Sequence, residues 1–242
     1  MNLDVLLCDA DGNLFPSEKP AFVASAEVTN RLMTDLGIDR RFTAAELRAE
    51  ALGRSFRSTA LELAARHGVP LDPIELESYV EEERRAVTAL LSRVLEPDPD
   101  VREPLRALAR RFRLAVVSSS AIARLDACFR ATGLDDLFPA DVRFSAEDSL
   151  PAPASKPDPA VYAFAGEALG VARDRALAIE DAVAGVRSAV GAGFPTVGNL
   201  AFVEPDGREQ RAAALLDAGA TGVVRSWWEL SELLGRTRQA AA

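Results

Sequence analysis

Leu6-Leu7-Cys8-Asp9-Ala10-Asp11-Gly12-Asn13-Leu14 decides how the rest of the sequence is read. The apolar run formed by Leu3, Val5, Leu6 and Leu7 has the composition of a strand buried on both faces. It leads straight into two aspartates and a glycine. If the strand persists that far, its period of two sends Asp9 and Asp11 to the same side. Like charges held half-buried repel one another and raise a pKa, so two carboxylates at the end of a strand are expected to have a cation between them. Gly12 allows the backbone to turn with positive φ at no steric cost. Taken alone, the stretch is equally a strand closed by an Asp-Gly turn.

The chain has 242 residues, 48% of them hydrophobic, which is enough for one large domain or two unequal ones. Its net charge of −9 argues against a nucleic-acid surface. No run of 18 apolar residues exists, and the N-terminus lacks a basic-apolar-small leader pattern. No membrane partner and a cytoplasmic location are therefore expected. Two cysteines, Cys8 and Cys128, make no disulfide framework, and Cys8 reads as a small buried hydrophobe. The single histidine, His67, lies at a helix-end signal beside Gly68. One histidine excludes a His-rich zinc site, and its place at a helix end weighs against a Ser-His-Asp triad. Only Lys19 and Lys156 among the 28 basic residues are lysines. A lysine kept against such an arginine bias offers a compact point charge rather than a planar fork.

Along the chain, helical patterns are expected over 21–36, 43–50, 55–67 and 74–95, with no strand between about 16 and 96. Thr43 and Glu46 stand at capping-box spacing. Glu96-Pro97-Asp98-Pro99-Asp100 then breaks the pattern. Beyond it, strands are expected at 114–117, 142–144, 176–179, 194–197 and 222–224. They alternate with helices at 101–111, 121–132, 160–169, 182–190, 207–218 and 226–235. Such alternation defines an α/β fold, a Rossmann-like doubly wound parallel sheet. The expected organisation is a catalytic core over 1–15 and 97–242, with an all-helical domain inserted over 16–96.

Ligands of open parallel sheets bind beyond the carboxyl ends of the strands. Four segments deliver polar groups to that edge: Asp9 and Asp11, Ser118 with Ser119, the loop carrying Lys156, and Glu180-Asp181. Each has a structural alternative. Ser120 is expected to cap helix 121–132, the acidic pair to favour the next helix's N-terminus, and Lys156 to be a solvated loop charge. Together they supply a carboxylate nucleophile or metal ligand, a hydroxyl, a cation and a second carboxylate pair. Oxygen ligands without histidine or cysteine suit Mg²⁺. An aspartate can act as a covalent nucleophile in phosphoryl transfer, where catalysis is mostly positioning and charge neutralisation.

Asp9-Ala10-Asp11-Gly12-Asn13-Leu14, Val116-Val117-Ser118, Lys156-Pro157 and Ile179-Glu180-Asp181-Ala182 resemble the four ordered motifs of the haloacid dehalogenase superfamily. The helical insertion resembles the cap of its phosphatase and β-phosphoglucomutase branch. The resemblance spans roughly residues 3–200. It implies that Asp9 is the nucleophile and Asp11 the general acid/base, with Ser118 and Lys156 holding the phosphoryl group and Ser119 assisting. It also implies Mg²⁺ on Asp9, Asp181 and Asp11 through its carbonyl, with Glu180 close by. Gly185 matches the pattern's glycine after the acidic pair. Asn13 departs from the usual Thr or Val, Pro16-Ser17-Glu18 from Asp-Ser-Glu, and Lys156-Pro157-Asp158-Pro159 from the commoner Lys-Pro-x-Pro-Asp. In the insertion, Ala51-Leu52-Gly53-Arg54-Ser55-Phe56-Arg57 resembles the substrate-specificity loop of sugar-phosphate members. Arg54 and Arg57 are its candidate substrate contacts.

The function expected is a Mg²⁺-dependent phosphatase acting on a small phosphorylated metabolite, a sugar phosphate, by way of an aspartyl-phosphate, in a monomer or weak dimer. A phosphosugar mutase uses the same chemistry, but no lysine lies between Lys19 and Lys156, which favours hydrolysis. Dehalogenase and phosphonatase branches lack the second aspartate. A signalling receiver domain places its acidic pair before the phosphorylated aspartate and has no helical insertion. A non-catalytic phospho-binding relative is the remaining class, and the intact motifs weigh against it. Gly191-Ala192-Gly193 follows a helix instead of opening one, so it is not a dinucleotide loop. Trp227-Trp228 reads as helix packing.

Overall fold

The computed structural model describes residues 3–51 and 54–239, with side chains through 235. In chain order the elements are β1 (Val5–Cys8), α1 (Glu18–Asp35), α2 (Ala44–Ala51), α3 (Phe56–Arg66), α4 (Pro73–Val94), α5 (Pro99–Ala109), β2 (Arg113–Ser118), α6 (Ile122–Thr132), β3 (Arg143–Ser145), α7 (Ala160–Ala168), β4 (Ala176–Glu180), α8 (Val183–Gly191), β5 (Thr196–Asn199), α9 (Arg208–Asp217), β6 (Gly222–Val224) and α10 (Trp227–Gln239). The chain divides into two compact units, Met1–Pro16 with Glu96–Ala242, and Ser17–Leu95.

The first unit is a parallel sheet of order β3-β2-β1-β4-β5-β6. β1 lies at the centre, with Cys8 in register with Val116 on one side and Ile179 on the other. The strand order reverses about β1, and the crevice at such a switch point is where ligands bind in doubly wound sheets. Both faces are covered. Val5, Leu7, Ala115, Val117, Ala176 and Ala178 pack with Val161, Tyr162 and Ala165 of α7 and Ala189 of α8. The residues of opposite parity, Leu6, Cys8, Leu114, Val116, Leu177 and Ile179, are buried too. That two-sided burial explains why these strands are continuous apolar runs instead of alternating ones.

The second unit is helical among its described residues and has its own apolar clusters. One gathers Ala26, Met33, Phe42, Leu47, Ala51 and Leu63; another gathers Leu32, Ala60 and Leu76. Helix starts follow the local chemistry. Thr43 and Glu46 form the reciprocal capping box, with Glu46 N–H donating to Thr43 Oγ1 and Thr43 N–H to Glu46 Oε2. Asp72, ahead of Pro73, accepts from Ile74 and Glu75 N–H. His67 is the C-cap residue of α3, and Gly68 follows at φ 66°.

Three local expectations need correction. Ser120 does not cap α6: the Ile122 N–H donates to the Asp148 carboxylate at 2.6 Å, and the Ser120 hydroxyl is directed to Asp11. β5 runs over Thr196–Asn199 because Gly193 turns at φ 85° and pairing starts only where the Pro195 carbonyl accepts from Ala178. Its polar last residue, Asn199, is 1% exposed and disguises the strand's extent. Finally, β1 ends at Cys8 and the chain turns at Gly12 (φ 78°). The period-two argument therefore does not reach Asp11, and the carboxylates of Asp9 and Asp11 part company.

Asn13 has a structural explanation. It is fully buried, and its Nδ2 donates to the carbonyls of Asp9 (2.9 Å) and Ile179 (3.1 Å). Its Oδ1 accepts from Asn199 Nδ2, and its carbonyl accepts from Trp227 Nε1. One amide thus ties the turn after β1 to β4 and β5. Asn13→Ala strands two buried polar groups, the Asp9 carbonyl and Asn199 Nδ2, since the Ile179 carbonyl keeps the Asp9 N–H. At about 1–3 kcal/mol for each unsatisfied group it should lower unfolding free energy by about 2–4 kcal/mol in a urea titration.

Candidate active site

The carboxyl ends of β1, β2 and β4 converge on one buried charge cluster. Asp9 directly follows β1, and its N–H donates to Ile179 of β4. Lys156 comes from the long loop between β3 and α7, where the Lys156–Pro157 peptide is cis. Its ammonium donates to Asp9 Oδ1 at 2.5 Å, to Glu180 Oε1 at 2.6 Å and to the Val117 carbonyl at 2.8 Å. All three donors of a compact ammonium are used, a geometry that a planar guanidinium does not reproduce. The Lys156 N–H also donates to Ser119 Oγ at 3.1 Å, so Ser119 braces the lysine loop. Ser118 ends β2, is 1% exposed, and its Oγ accepts from Ser120 N–H.

Asp9, Glu180 and Asp181 each bring a carboxylate oxygen within 4.8 Å of the others. Oε2 of Glu180 and Oδ1 of Asp181 are buried without a hydrogen-bond partner. Bare buried carboxylate oxygens are costly, and here two of them sit in an all-oxygen donor set. That donor set suits a hard divalent cation. The surrounding backbone makes room for it. A Cβ at Gly12 would collide with Asp181 Oδ2, and one at Gly185 would collide with the Glu180 carboxylate. Burial dominates the electrostatics. It pushes the Asp9 carboxyl up to about 7, against the pull of Lys156, and raises Asp181 well above the carboxylate range, with Asp9 and Glu180 adding to the effect. Burial alone would depress Lys156, but Asp9 and Glu180 more than offset it and hold it cationic. Cys8 is no nucleophile, since burial pushes its thiol far up.

Asp11 stands apart from this cluster. Its Oδ1 accepts from Arg124 Nη2 at 2.9 Å and its Oδ2 from Ser120 Oγ at 2.6 Å, both on or beside α6. In the helical unit, Arg54 is paired with Glu62 and Arg57 with Glu77. Leu52 and Gly53 of the same loop lie outside the described residues. Sequence reasoning missed Arg124, Tyr162, Asn199 and Arg211. Tyr162 Oη donates to Glu180 Oε1, and Arg211 Nη1 donates to the Asp181 carbonyl at 3.1 Å. None of the four carried a sequence signal, because each acts through a partner distant in the chain. Trp227 is fully buried as helix packing requires, while Trp228 remains 45% exposed.

A doubly wound sheet with a helical insertion, and with acidic groups and a lysine at the carboxyl edge, defines a class of hydrolase. The haloacid dehalogenase-like hydrolase family model matches residues 3–193, and the chain belongs to that family. No curated protein sequence matches it. A HAD family hydrolase from Deinococcus radiodurans, with bound phosphate and sodium, superposes with a TM-score of 0.68 at 27% identity over 97% of this chain and 96% of that one. A haloacid dehalogenase-like protein of unknown function from Agrobacterium tumefaciens gives 0.71 at 25% identity, over 98% and 99%. A predicted phosphoglycolate phosphatase from Haemophilus somnus shares the fold, with 0.73 at 20% identity over 98% and 99%. Among the described residues, no helix is long and apolar enough to cross a membrane.

Proposed function

We propose that the protein is a Mg²⁺-dependent phosphatase of small phosphomonoesters, with a sugar phosphate as the favoured substrate class. The observation that carries this reading is the cluster of Asp9, Lys156, Glu180 and the half-buried Asp181, in which two buried carboxylate oxygens lack a hydrogen-bond partner. Asp9, Glu180 and Asp181 would hold the cation, with the Asp11 carbonyl as a further donor. When bound, the cation supplies charge neutralisation for the phosphoryl oxygens and for the carboxylates themselves.

An oxygen of Asp9 attacks phosphorus, the bond to the ester oxygen breaks, and Asp11 donates the proton that the leaving oxygen needs. Water then attacks the aspartyl-phosphate, Asp11 takes its proton, and inorganic phosphate leaves with Asp9 restored. Lys156 holds Asp9 in place and offsets the charge of the transferring group, and Ser118 contributes a hydroxyl at the edge of β2. Asp11 is bound by Arg124 and Ser120 as a hydrogen-bonded carboxylate, so its acid/base role requires it to exchange those partners. Arg54 and Arg57 are proposed to read the substrate's remaining polar groups; each would give up its glutamate to do so.

The test is a panel of phosphomonoesters with purified protein. Phosphate release should require added Mg²⁺, vanish with EDTA and return on readdition. Full activity in EDTA would overturn the metal assignment. Formation of an isomeric sugar phosphate without phosphate release would replace the phosphatase by a mutase.

A further inference from the structure

One face of the acidic cluster is braced by a residue with no part in the chemistry above. Tyr162, on α7, is fully buried, and its hydroxyl donates to Glu180 Oε1 at 2.6 Å. The same oxygen accepts from Lys156 Nζ, and that ammonium lies 5.2 Å from the Tyr162 ring centroid. The ring packs against Phe194, with centroids 6.3 Å apart, inside the apolar cluster below the sheet edge, so it has little freedom to move. Two donors therefore saturate one oxygen of Glu180. The other, Oε2, is buried with no partner, in the space that Gly185 leaves open. A carboxylate free to rotate would share its donors between both oxygens. Here the pinned oxygen fixes the orientation of the bare one.

We infer that Tyr162 is a positioning residue of the cation site: its hydroxyl locks Glu180 so that Oε2 is presented, with Asp181 and Asp9, to a divalent cation. The inference rests on the acidic cluster being the metal site, and the controls separate the two. Partners that orient a metal ligand typically contribute 10–100-fold to metal affinity. In isothermal titration of the full chain with Mg²⁺, Tyr162→Phe should weaken binding about tenfold or more. The Mg²⁺ concentration giving half-maximal activity should rise by the same factor. Glu180→Gln, the control, should weaken Mg²⁺ at least as much. If Glu180→Gln weakens Mg²⁺ while Tyr162→Phe leaves it at the wild-type value, the positioning role is overturned and the metal site stands. If neither variant changes Mg²⁺ affinity, both are overturned. Should Tyr162→Phe fail to fold, the chain's tyrosine count of two offers another route. In Tyr79→Phe protein labelled with ring ¹³C-tyrosine, the Tyr162 resonance should move on Mg²⁺ addition. An unmoved resonance at saturating Mg²⁺ overturns the inference.

Discussion

Asp9→Asn should abolish phosphate release while leaving the protein folded. The amide keeps the shape of the side chain and can still accept from Lys156 through Oδ1, as Asp9 does at 2.5 Å. It loses the charge and the oxygen proposed as the nucleophile. Burial already pushes the Asp9 carboxyl up to about 7, so the site favours a neutral group at this position when metal-free. The melting temperature in EDTA should therefore be no lower than that of the wild type. Covalent catalysts lacking their nucleophile fall to the residual rate supplied by binding and electrostatics, a loss on the order of 10⁴-fold or more. Rapid-quench trapping should find acid-stable phosphate on the wild-type protein and none on the variant. A variant retaining more than a few per cent of wild-type turnover would mean that water attacks phosphorus directly.

The parts of this site that were legible in the sequence share one feature. Asp9, Ser118 and Glu180 each stand where an apolar strand run gives way to polar residues, and in a parallel sheet those positions gather at one edge. Lys156 was marked by its rarity among arginines. What was not legible depends on partners distant in the chain. Asn199 closes a strand yet pairs with Asn13, 186 positions away. Tyr162 reads as one more apolar helix position until Glu180, 18 positions on, is seen to accept its hydroxyl. Ser120 occupies a plausible cap position, but the Asp148 carboxylate captures the helix N–H and frees Ser120 for Asp11. Asp11 shows how a sound periodicity argument fails: period two is a property of the strand, and the strand stops at Cys8.

Lys156→Ala is the substitution expected to damage both catalysis and folding. It removes the ammonium that bridges Asp9 and Glu180, whose side chains are 10% and 1% exposed. Breaking a buried ion pair by deleting one partner costs about 3–5 kcal/mol, because the remaining charges stay buried without compensation. Loss of the preorganised cation proposed to offset the phosphoryl charge should lower kcat by on the order of 10²–10³-fold. The stability loss should depend on pH with a definite sign. Asp9 and Asp181 have folded-state pKa values raised above the unfolded ones, chiefly by burial. The folded protein therefore binds more protons, and stability falls as pH rises from the unfolded value near 3.8 through the folded value, about 7 for Asp9. Without Lys156 the fall should be steeper and extend to higher pH, since the cation opposing it is gone. Mg²⁺ should act in the opposite sense, restoring more stability as pH rises, because a cation binds the deprotonated carboxylates. Urea titrations of Lys156→Ala in EDTA at pH 5 and pH 8, each repeated with Mg²⁺, would read this directly. Equal stability at both pH values without metal would show that these carboxylates are solvated in the folded protein, and that their burial is not what makes the site bind a cation.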